Sequence, residues 1–440
     1  MARICVFTYD SRLDRRVVLE CDSLIARGHD VTLYAAPYKD CASDPSYVCR
    51  IDNVLAPAKT RKSLYLKMFT TKKWLEKRYP VVCRIIEPLA RVMFWSVYTL
   101  MPNIRLSMKN GLQVSCTKPE LIFYESFLHV LAHDITSDLY IAHDLPMLPV
   151  AVDARKRYGG KVFYDSHELF ADQELTKIEQ RKWRSLELEL IHEADRVITI
   201  NPSAAAIIKQ RYQLADVGYI YNADLLPEPP LPRGRKFHAL LGLPDSVRIV
   251  LYQGGMSHSR NLDVLVRMMP HVNDPSIHLV FLGSGPAREE IVKLAASLAL
   301  QNQVHFVDTV PQADLLTYSA SADLGLIPYQ DTCLNNRICT PNKLFEYIAA
   351  GTPIVATDLV EIKRIIEEHG VGITGNTANP EEFARMVLKA LQPEMLATFQ
   401  QQAEKARQIL NWQQESQRYV AMVEQTLSAA TDAAPMKVSA

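Results

Sequence analysis

The sequence predicts an α/β protein made of two doubly wound, parallel-sheet domains, and three observations carry that reading. Short apolar runs alternate with helical periodicity, the alternation occurs twice, and a Pro-rich basic stretch separates the two rounds. In the first round "RICVFTY", "DVTLYAA", "LIFYE", "LYIAHD", "KVFYDSH", "RVITIN" and "VGYIYN" read as strands. In the second, "RIVLYQG", "HLVFLGSG", "VHFVDTV", "DLGLIPY" and "PIVATD" repeat the rhythm. Near-continuous apolar strands joined by helices imply buried parallel sheets with right-handed crossovers. A chain of 440 residues also exceeds what one ordinary core serves. We place the first domain at 1–222, a linker at 223–244 in "NADLLPEPPLPRGRKFHALLGLP", and the second domain at 245–394. An amphipathic helix over 395–428, containing Trp412, is expected to pack back on the first domain, and the tail 429–440 is expected to be disordered.

Composition narrows the class. Lys+Arg and Asp+Glu both number 49, so whole-chain charge selects no partner. The eight cysteines form no C-x-x-C pair, which argues against a zinc site or a redox motif and fits a reducing cytoplasm. "MARICVFTYDSRLDRR" enters a strand at once, so no signal peptide is expected. No uncharged apolar stretch reaches the roughly 18 residues of a membrane span. Charge is nevertheless concentrated at 57–110, where twelve Lys/Arg meet only Glu76 and Glu87 and are interleaved with Tyr65, Phe69, Trp74, Phe94, Trp95 and Tyr98. Such a mixture suits a helix lying in an anionic membrane surface. A plain helical insertion packed on the sheet is the alternative; nucleic acid is not the expected partner. The localisation expected is cytoplasmic, with peripheral attachment to the inner face of the cytoplasmic membrane.

Open parallel sheets bind ligands outside the carboxyl ends of their strands, so the chemistry is sought there. After "RIVLYQ" come Gly254 and Gly255, which allow close backbone approach, and then Arg260 near the next helix. In "CTPNKLFEYIAAGTPIVAT", Thr340 reads as an N-cap, Pro341 as the first helical residue and Lys343 as the third, where the helix dipole disfavours a cation. Two cations at two helix starts beside strand ends call for a shared anion such as a diphosphate. The competing explanation is that each is merely solvated. Glu346, one turn after Lys343, can accept from two vicinal hydroxyls, or else pair with Lys343. Gly283 and Gly285 in "FLGSGP" close a tight turn and are a weak signal alone. His143 and Asp144 end "LYIAHD"; Asp165, His167 and Glu168 end "KVFYDSHE"; each group serves either substrate contact or capping. Asp14, Arg15 and Arg16 could meet an acceptor phosphate or simply start a helix, and Asn201, Ser203 and Asn222 are weaker candidates. The chain has no D-x-D, so no metal or other cofactor is expected and the two cations take the metal's place. The absence of G-x-G-x-x-G after the first strand disfavours a dehydrogenase.

The segments "YQGGMSHSRNLDVLV", "FLGSGP", "VHFVDTVPQADLLTYSASADLGLIPY" and "PNKLFEYIAAGTPIVATD" resemble the donor domain of family 4 glycosyltransferases, which have the GT-B fold. "DRRVVLECDSLIARGHDVTLYAA", "LYIAHDLPML" and "KVFYDSHELF" resemble the same family's other domain. The resemblance covers 1–50 and 120–425 and leaves the basic stretch out. It implies two Rossmann-like domains facing across a cleft, and a retaining, metal-independent transfer of a sugar from a nucleotide-sugar. It further implies that Arg260 and Lys343 hold the donor diphosphate, Glu346 binds the ribose, and His143 contacts the donor sugar. Val310 and Asn342 join Gly254 and Gly255 on the donor side. The acceptor expected is a lipid-linked or membrane-surface glycan intermediate, met by Asp14, Arg15, Arg16, Asp144, His167 and Glu168. The chain departs from the family where many members carry a first glutamate, here Ile338, and where many carry Arg, here Gly255. A GT-B nucleotide-sugar epimerase and a catalytically silent membrane scaffold are the rival readings.

Overall fold

The computed structural model describes residues 1–38, 44–51, 127, 130, 131, 133–229 and 231–429. The basic stretch at 57–110, the expected strand at 121–125 and residues 430–440 lie outside the described residues.

Two sheets organise the described chain. The first contains β1 (Arg3–Thr8), β2 (Asp30–Ala35), β3 (Val48–Arg50), β4 (Leu139–His143), β5 (Lys161–Ser166), β6 (Arg196–Thr199) and β7 (Gly218–Tyr219), in the order β3-β2-β1-β4-β5-β6-β7. The second contains β8 (Arg248–Gln253), β9 (Ile277–Leu282), β10 (Val304–Val307), β11 (Leu324–Ile327), β12 (Ile354–Thr357) and β13 (Gly372–Gly375), in the order β10-β9-β8-β11-β12-β13. β1 pairs in parallel with β2 and β4, and β8 with β9 and β11. Both sheets therefore reverse their winding beside their first strand, as the Rossmann order requires. Helices α1 (Arg15–Ala26), α2 (Leu148–Tyr158), α3 (Lys177–Leu190) and α4 (Pro202–Tyr212) accompany the first sheet. The second has α5 (Lys236–Leu241), α6 (Asp263–Val272), α7 (Arg288–Ser297), α8 (Gln312–Ser319), α9 (Leu334–Arg337), α10 (Asn342–Ala349), α11 (Val360–His369) and α12 (Pro380–Ala390). The chain closes with α13 (Pro393–Ala406) and α14 (Trp412–Ser428). Packing forms two compact units, one drawn from residues 1–164 with Glu193–Asp195, the other from Asp165–His192 and Arg196–Ser428.

Within the first unit, Phe7 on β1 stacks between Tyr34 and Tyr140, with centroids 6.0 and 6.4 Å away. Arg50 at the end of β3 is buried and donates to Ser11 O and Ala36 O, both at 2.7 Å, and to the Asp44 carboxylate at 2.8 and 3.0 Å. A short edge strand thus pins the loop that leaves β1. β3 escapes a sequence reading because three residues are too few to display a period.

In the second unit the β pleat sorts side chains cleanly. Val250 and Tyr252 join a core with α6 and α12, while Ile249 and Leu251 join another with α10 and α11. A strand buried on both faces is what an apolar run without alternation means. β13, reading "GITG", was not expected as a strand. A Cβ on Gly372 would lie 1.8 Å from Ile354 O, so glycine is what lets this strand reach β12. The expected linker at 223–244 includes α5, whose Phe237 is fully buried against Tyr318. The expected helix at 395–428 is two helices. Asn411 separates them, its Oδ1 accepting from Gln414 N at 3.0 Å and its Nδ2 donating to Arg407 O at 2.8 Å. The start of α14 binds residues 221–226: Trp412 N donates to Asp224 O, and Glu415 accepts from Tyr221 N.

Two histidines share a hydrogen bond on neighbouring strands: His278 Nδ1 and His305 Nε2 are 2.9 Å apart. Burial lowers the pKa of both, and His278 helps bring His305 down to about 4. Folded His305 stays neutral down toward pH 4 while the unfolded chain protonates near 6.5, so its share of stability falls as pH drops from 6.5 toward 4, and His278 acts in the same direction. His305→Asn should flatten that acid limb in urea titrations at pH 7, 5.5 and 4.5. The difference in slope between wild type and variant should stay below the ~1.4 kcal/mol per pH unit of one full proton, because His305 is only partly buried. Equal slopes for the two proteins would remove the pair as its cause.

Candidate functional site

The site assembles where the second sheet reverses, at the carboxyl ends of β8 and β11. β8 hands the chain to Gly254, whose φ of 109° is a glycine conformation. Its N–H donates to Leu282 O at 2.9 Å, and Met256 N donates to Ser284 O at 2.9 Å, so the loops after β8 and β9 lie backbone on backbone. Gly283 and Gly285 make this possible: a Cβ on either would come within 2.2 Å of Gly254 O or 2.4 Å of Met256 O. The G-x-G of "FLGSGP" is therefore a seam between loops. A Cβ on Gly254 would sit 3.6 Å from Lys343 Nζ, whereas one on Gly255 would meet nothing within 4 Å.

Lys343 does not sit as its sequence position suggests. Pro341 is the N-cap and Lys343 the second helical residue, because α10 begins at Asn342. The side chain is buried, 6% exposed, along with every other residue from Leu344 to Ala349. A helix buried from its second residue onward leaves a cation near its start little route to water. Nζ instead donates to Tyr329 Oη at 2.9 Å and lies 4.4 and 4.7 Å from the ring centroids of Tyr252 and Tyr329. Arg260 comes to the same tyrosine, its Cζ 4.3 Å from the Tyr329 centroid. It lies in a 3-10 turn, His258–Arg260, ahead of α6. Both cations thus touch one aromatic ring, a favourable but neutral partner. Burial and the Arg260 charge lower the Lys343 pKa to about 7, against the opposing pull of Glu346. Burial raises those of Tyr252 and Tyr329, so both phenols keep their protons.

Glu346 is buried one turn later and accepts from Gln253 Nε2 at 2.5 Å. Gln253 is fully buried and accepts from Ser319 Oγ at 2.7 Å through Oε1. The carboxylate fixes which way this amide points, since its oxygen could not face Glu346. Sequence reasoning passed over Gln253 and Ser319; a polar residue closing the apolar run "RIVLYQ" was the available signal. Asn342 Oδ1 accepts from Asn222 Nδ2 at 2.9 Å, and Val310 packs against the core on the α10 side. Ile338 is buried, and its carbonyl accepts from Asn201 Nδ2 at 2.8 Å. Asn201 also caps α4 by accepting from Ala204 N. Ser203 N donates to Glu361.

The remaining candidates take these places. In the first unit Asp14 caps α1, accepting from Arg16 N at 2.7 Å, and Arg15 opens the helix. Arg16 and Glu20 form a buried ion pair at 2.7 Å, and His143 Nε2 lies 3.8 Å from the other Glu20 oxygen. Asp144 follows at a φ of 64°. In the second unit His167 Nε2 lies 3.3 Å from Asp165, and Glu168 accepts from Gln173 at 2.6 Å and Asn335 at 3.1 Å. The structure thus joins Gly254, Arg260, Lys343 and Glu346 around Tyr329, Tyr252 and Gln253. Among the described residues, no helix is long and apolar enough to cross a membrane.

Residues 247–393 match the family model described as glycosyl transferases group 1. Over 151 residues the chain is 27% identical to an uncharacterised glycosyltransferase of Methanocaldococcus jannaschii, covering 34% of this chain and 37% of that protein. It is 23% identical over 254 residues to a D-inositol 3-phosphate glycosyltransferase of Streptosporangium roseum, covering 53% of this chain and 57% of the relative. The chain thus spans only part of the length of these relatives. Among solved structures, sucrose-phosphate synthase from Thermosynechococcus elongatus superposes with a TM-score of 0.70 at 17% identity, covering 98% of this chain and 100% of that one. Anabaena HepE in complex with UDP-glucose superposes with a TM-score of 0.66 at 14% identity, covering 97% and 100%. The fold is GT-B.

The depressed Lys343 pKa carries a testable sign. Between about 7 and its unfolded value near 10.5, the unfolded chain holds a proton that the folded chain has released, so apo stability rises with pH. Lys343→Met lacks this term and should be at least as stable as wild type at pH 7. The difference should shift toward wild type by about 2–3 kcal/mol between pH 7 and 9.5 in denaturant titrations. A pH-independent difference would mean that Lys343 titrates normally.

Proposed function

We propose that the protein is a retaining glycosyltransferase that moves a sugar from a nucleotide diphosphate-sugar to an acceptor hydroxyl. The observation that carries this reading is the pair of cations, Arg260 and Lys343, drawn to one tyrosine at the sheet's reversal point. The matching group 1 family model and the relatives named as glycosyltransferases support it. In this reaction the bond from the anomeric carbon to the diphosphate oxygen breaks. The acceptor oxygen bonds to that carbon from the same face, and its proton passes to the departing diphosphate oxygen. The protein's share is charge stabilisation and positioning. Lys343 and Arg260 meet the charge growing on the diphosphate, with the α10 N-terminus beside them, and the bound anion holds Lys343 in its ammonium form. Glu346, aimed by Gln253, receives the ribose hydroxyls; Gly254 and Gly255 give the diphosphate backbone access; Asn342 and Val310 border the donor. His143 contacts the donor sugar. Asp14, Arg15, Asp144, His167 and Glu168 remain on the acceptor side, with Arg16 supporting them through Glu20. The cation pair substitutes for a metal.

Screening UDP-, GDP- and ADP-sugars by thermal shift and then by donor hydrolysis tests the reading, since ligand binding stabilises the folded state. UDP-glucose comes first because a structural relative binds it. Lys343→Ala and Arg260→Ala should each lose about 2.7–4 kcal/mol of transition-state stabilisation, a hundred- to a thousandfold in turnover. The double variant should fall short of additivity, because both cations serve one diphosphate. Activity should survive EDTA. A folded Lys343→Ala enzyme with near-normal turnover, or a strict need for a divalent metal, would refute the cationic clamp.

We further propose a lipid-linked or membrane-surface acceptor, reached by peripheral attachment through the basic stretch at 57–110. Attraction of about 1 kcal/mol per basic residue near an anionic surface makes such binding salt-dependent. The protein should sediment with phosphatidylserine-containing vesicles at low salt and be released as salt rises. Equal sedimentation with neutral vesicles, or with neither, would reject this attachment.

A further inference from the structure

We propose that Tyr329 is a third hydrogen-bond donor to the diphosphate and the side chain that keeps Arg260 and Lys343 in register; this rests on the glycosyl-transfer reading above. Tyr329 follows Pro328 at the exit of β11, the strand beside β8 at the reversal of the sheet. It is 5% exposed; two contacts converge on it and a third holds the residue before it. Its hydroxyl oxygen accepts from Lys343 Nζ at 2.9 Å. Its ring lies 4.3 Å from Arg260 Cζ. The backbone beside it is tied to the Arg260 loop, since Asn261 Nδ2 donates to Pro328 O at 3.1 Å. Asn261 itself sits at a φ of 54°, a left-handed conformation that suits asparagine better than most residues and that turns the chain here.

Proton accounting supplies the donor. In its ammonium form Lys343 offers donors only, so its contact with Tyr329 consumes a lone pair of the phenol and leaves the phenol's proton unspent. Among the described residues no carbonyl, carboxylate or hydroxyl accepts that proton, although a buried hydroxyl ordinarily finds an acceptor. Burial also keeps the phenol protonated. A diphosphate lying between Arg260 and Lys343 would bring oxygens to a buried phenol donor that lacks an acceptor among the described residues. The same residue shields two like charges from each other by offering both a π face, so the clamp stands assembled before any anion arrives.

The experiment is calorimetric titration of wild type, Tyr329→Phe and Tyr329→Leu with UDP, GDP and ADP and with the matching nucleosides, alongside melting curves. Phenylalanine keeps the ring under Arg260 and removes only the hydroxyl, so this variant should fold. Its affinity for the preferred nucleoside diphosphate should fall roughly tenfold or more, while its nucleoside affinity should hold. Tyr329→Leu should lose more diphosphate affinity again, through the cations it no longer gathers. A Tyr329→Phe protein that binds the diphosphate like wild type overturns the proposal, and so does an equal loss for diphosphate and nucleoside, which would mark a purely structural tyrosine. In both cases a diphosphate preference in wild type, lost in Lys343→Ala, leaves the glycosyl-transfer reading standing. A wild-type protein that does not distinguish diphosphate from nucleoside overturns both.

Discussion

The described site depends on an ammonium group held beneath the surface with a neutral phenol as its hydrogen-bond partner. Water would solvate that charge better than two aromatic faces do, and the lowered proton affinity of Lys343 measures the deficit. The fold sustains it because α10 is buried from Lys343 to Ala349 and anchored by Leu344, Phe345 and Ile348 in the core below. The helix cannot roll its lysine outward without exposing those side chains. Hydrophobic burial therefore sets the position of the charge, and the charge is left under-satisfied by construction. An anion arriving there completes a set of interactions that the protein alone leaves incomplete, which is what preorganisation means in electrostatic catalysis.

The geometry around it follows from the sheet. Reversal of winding between β8 and β11 leaves a gap at their carboxyl ends, where no crossover helix covers both strands. Gly254 and Tyr329 flank that gap, and α10 enters it from the direction of β12. Gln253 works from underneath. As the last residue of β8 it spans from Ser319 on α8 to Glu346 on α10, so one amide joins two helices to the strand that carries the glycine loop.

Much of this was legible in the sequence, for identifiable reasons. The two rounds of apolar strands were readable, save for the segment at 121–125 outside the described residues, because buried parallel strands leave unbroken apolar runs. β3 and β13 were not: one has three residues, and the other is spaced by glycines whose necessity appears only when the Ile354 carbonyl is in place beside Gly372. The break between α13 and α14 turns on Asn411, an ordinary polar residue in a helical pattern until its cap is seen. Of the site, Arg260, Lys343 and Glu346 stood out as charges at strand ends, yet solvent was left open as the lysine's environment. The residues around it, Leu344, Phe345, Tyr347 and Ile348, already marked α10 as a helix with little surface to give to water. Tyr329 and Gln253 stayed invisible because an aromatic and an amide at strand ends look like core and cap until the charges they touch are known.

Three of the four glycines at the loops after β8 and β9 differ in what they allow the chain to become. At 283 and 285 the neighbouring backbone forbids any side chain, so those positions are closed to substitution as long as the fold persists. At position 255 a Cβ would meet no described atom within 4 Å, and the torsion there is unstrained. A single-residue change could install a new side chain on the rim of the site without disturbing the seam beneath it. The selectivity of the rim and the integrity of the fold are thus written in separate residues only a few positions apart, and the first can drift or be engineered while the second stays fixed.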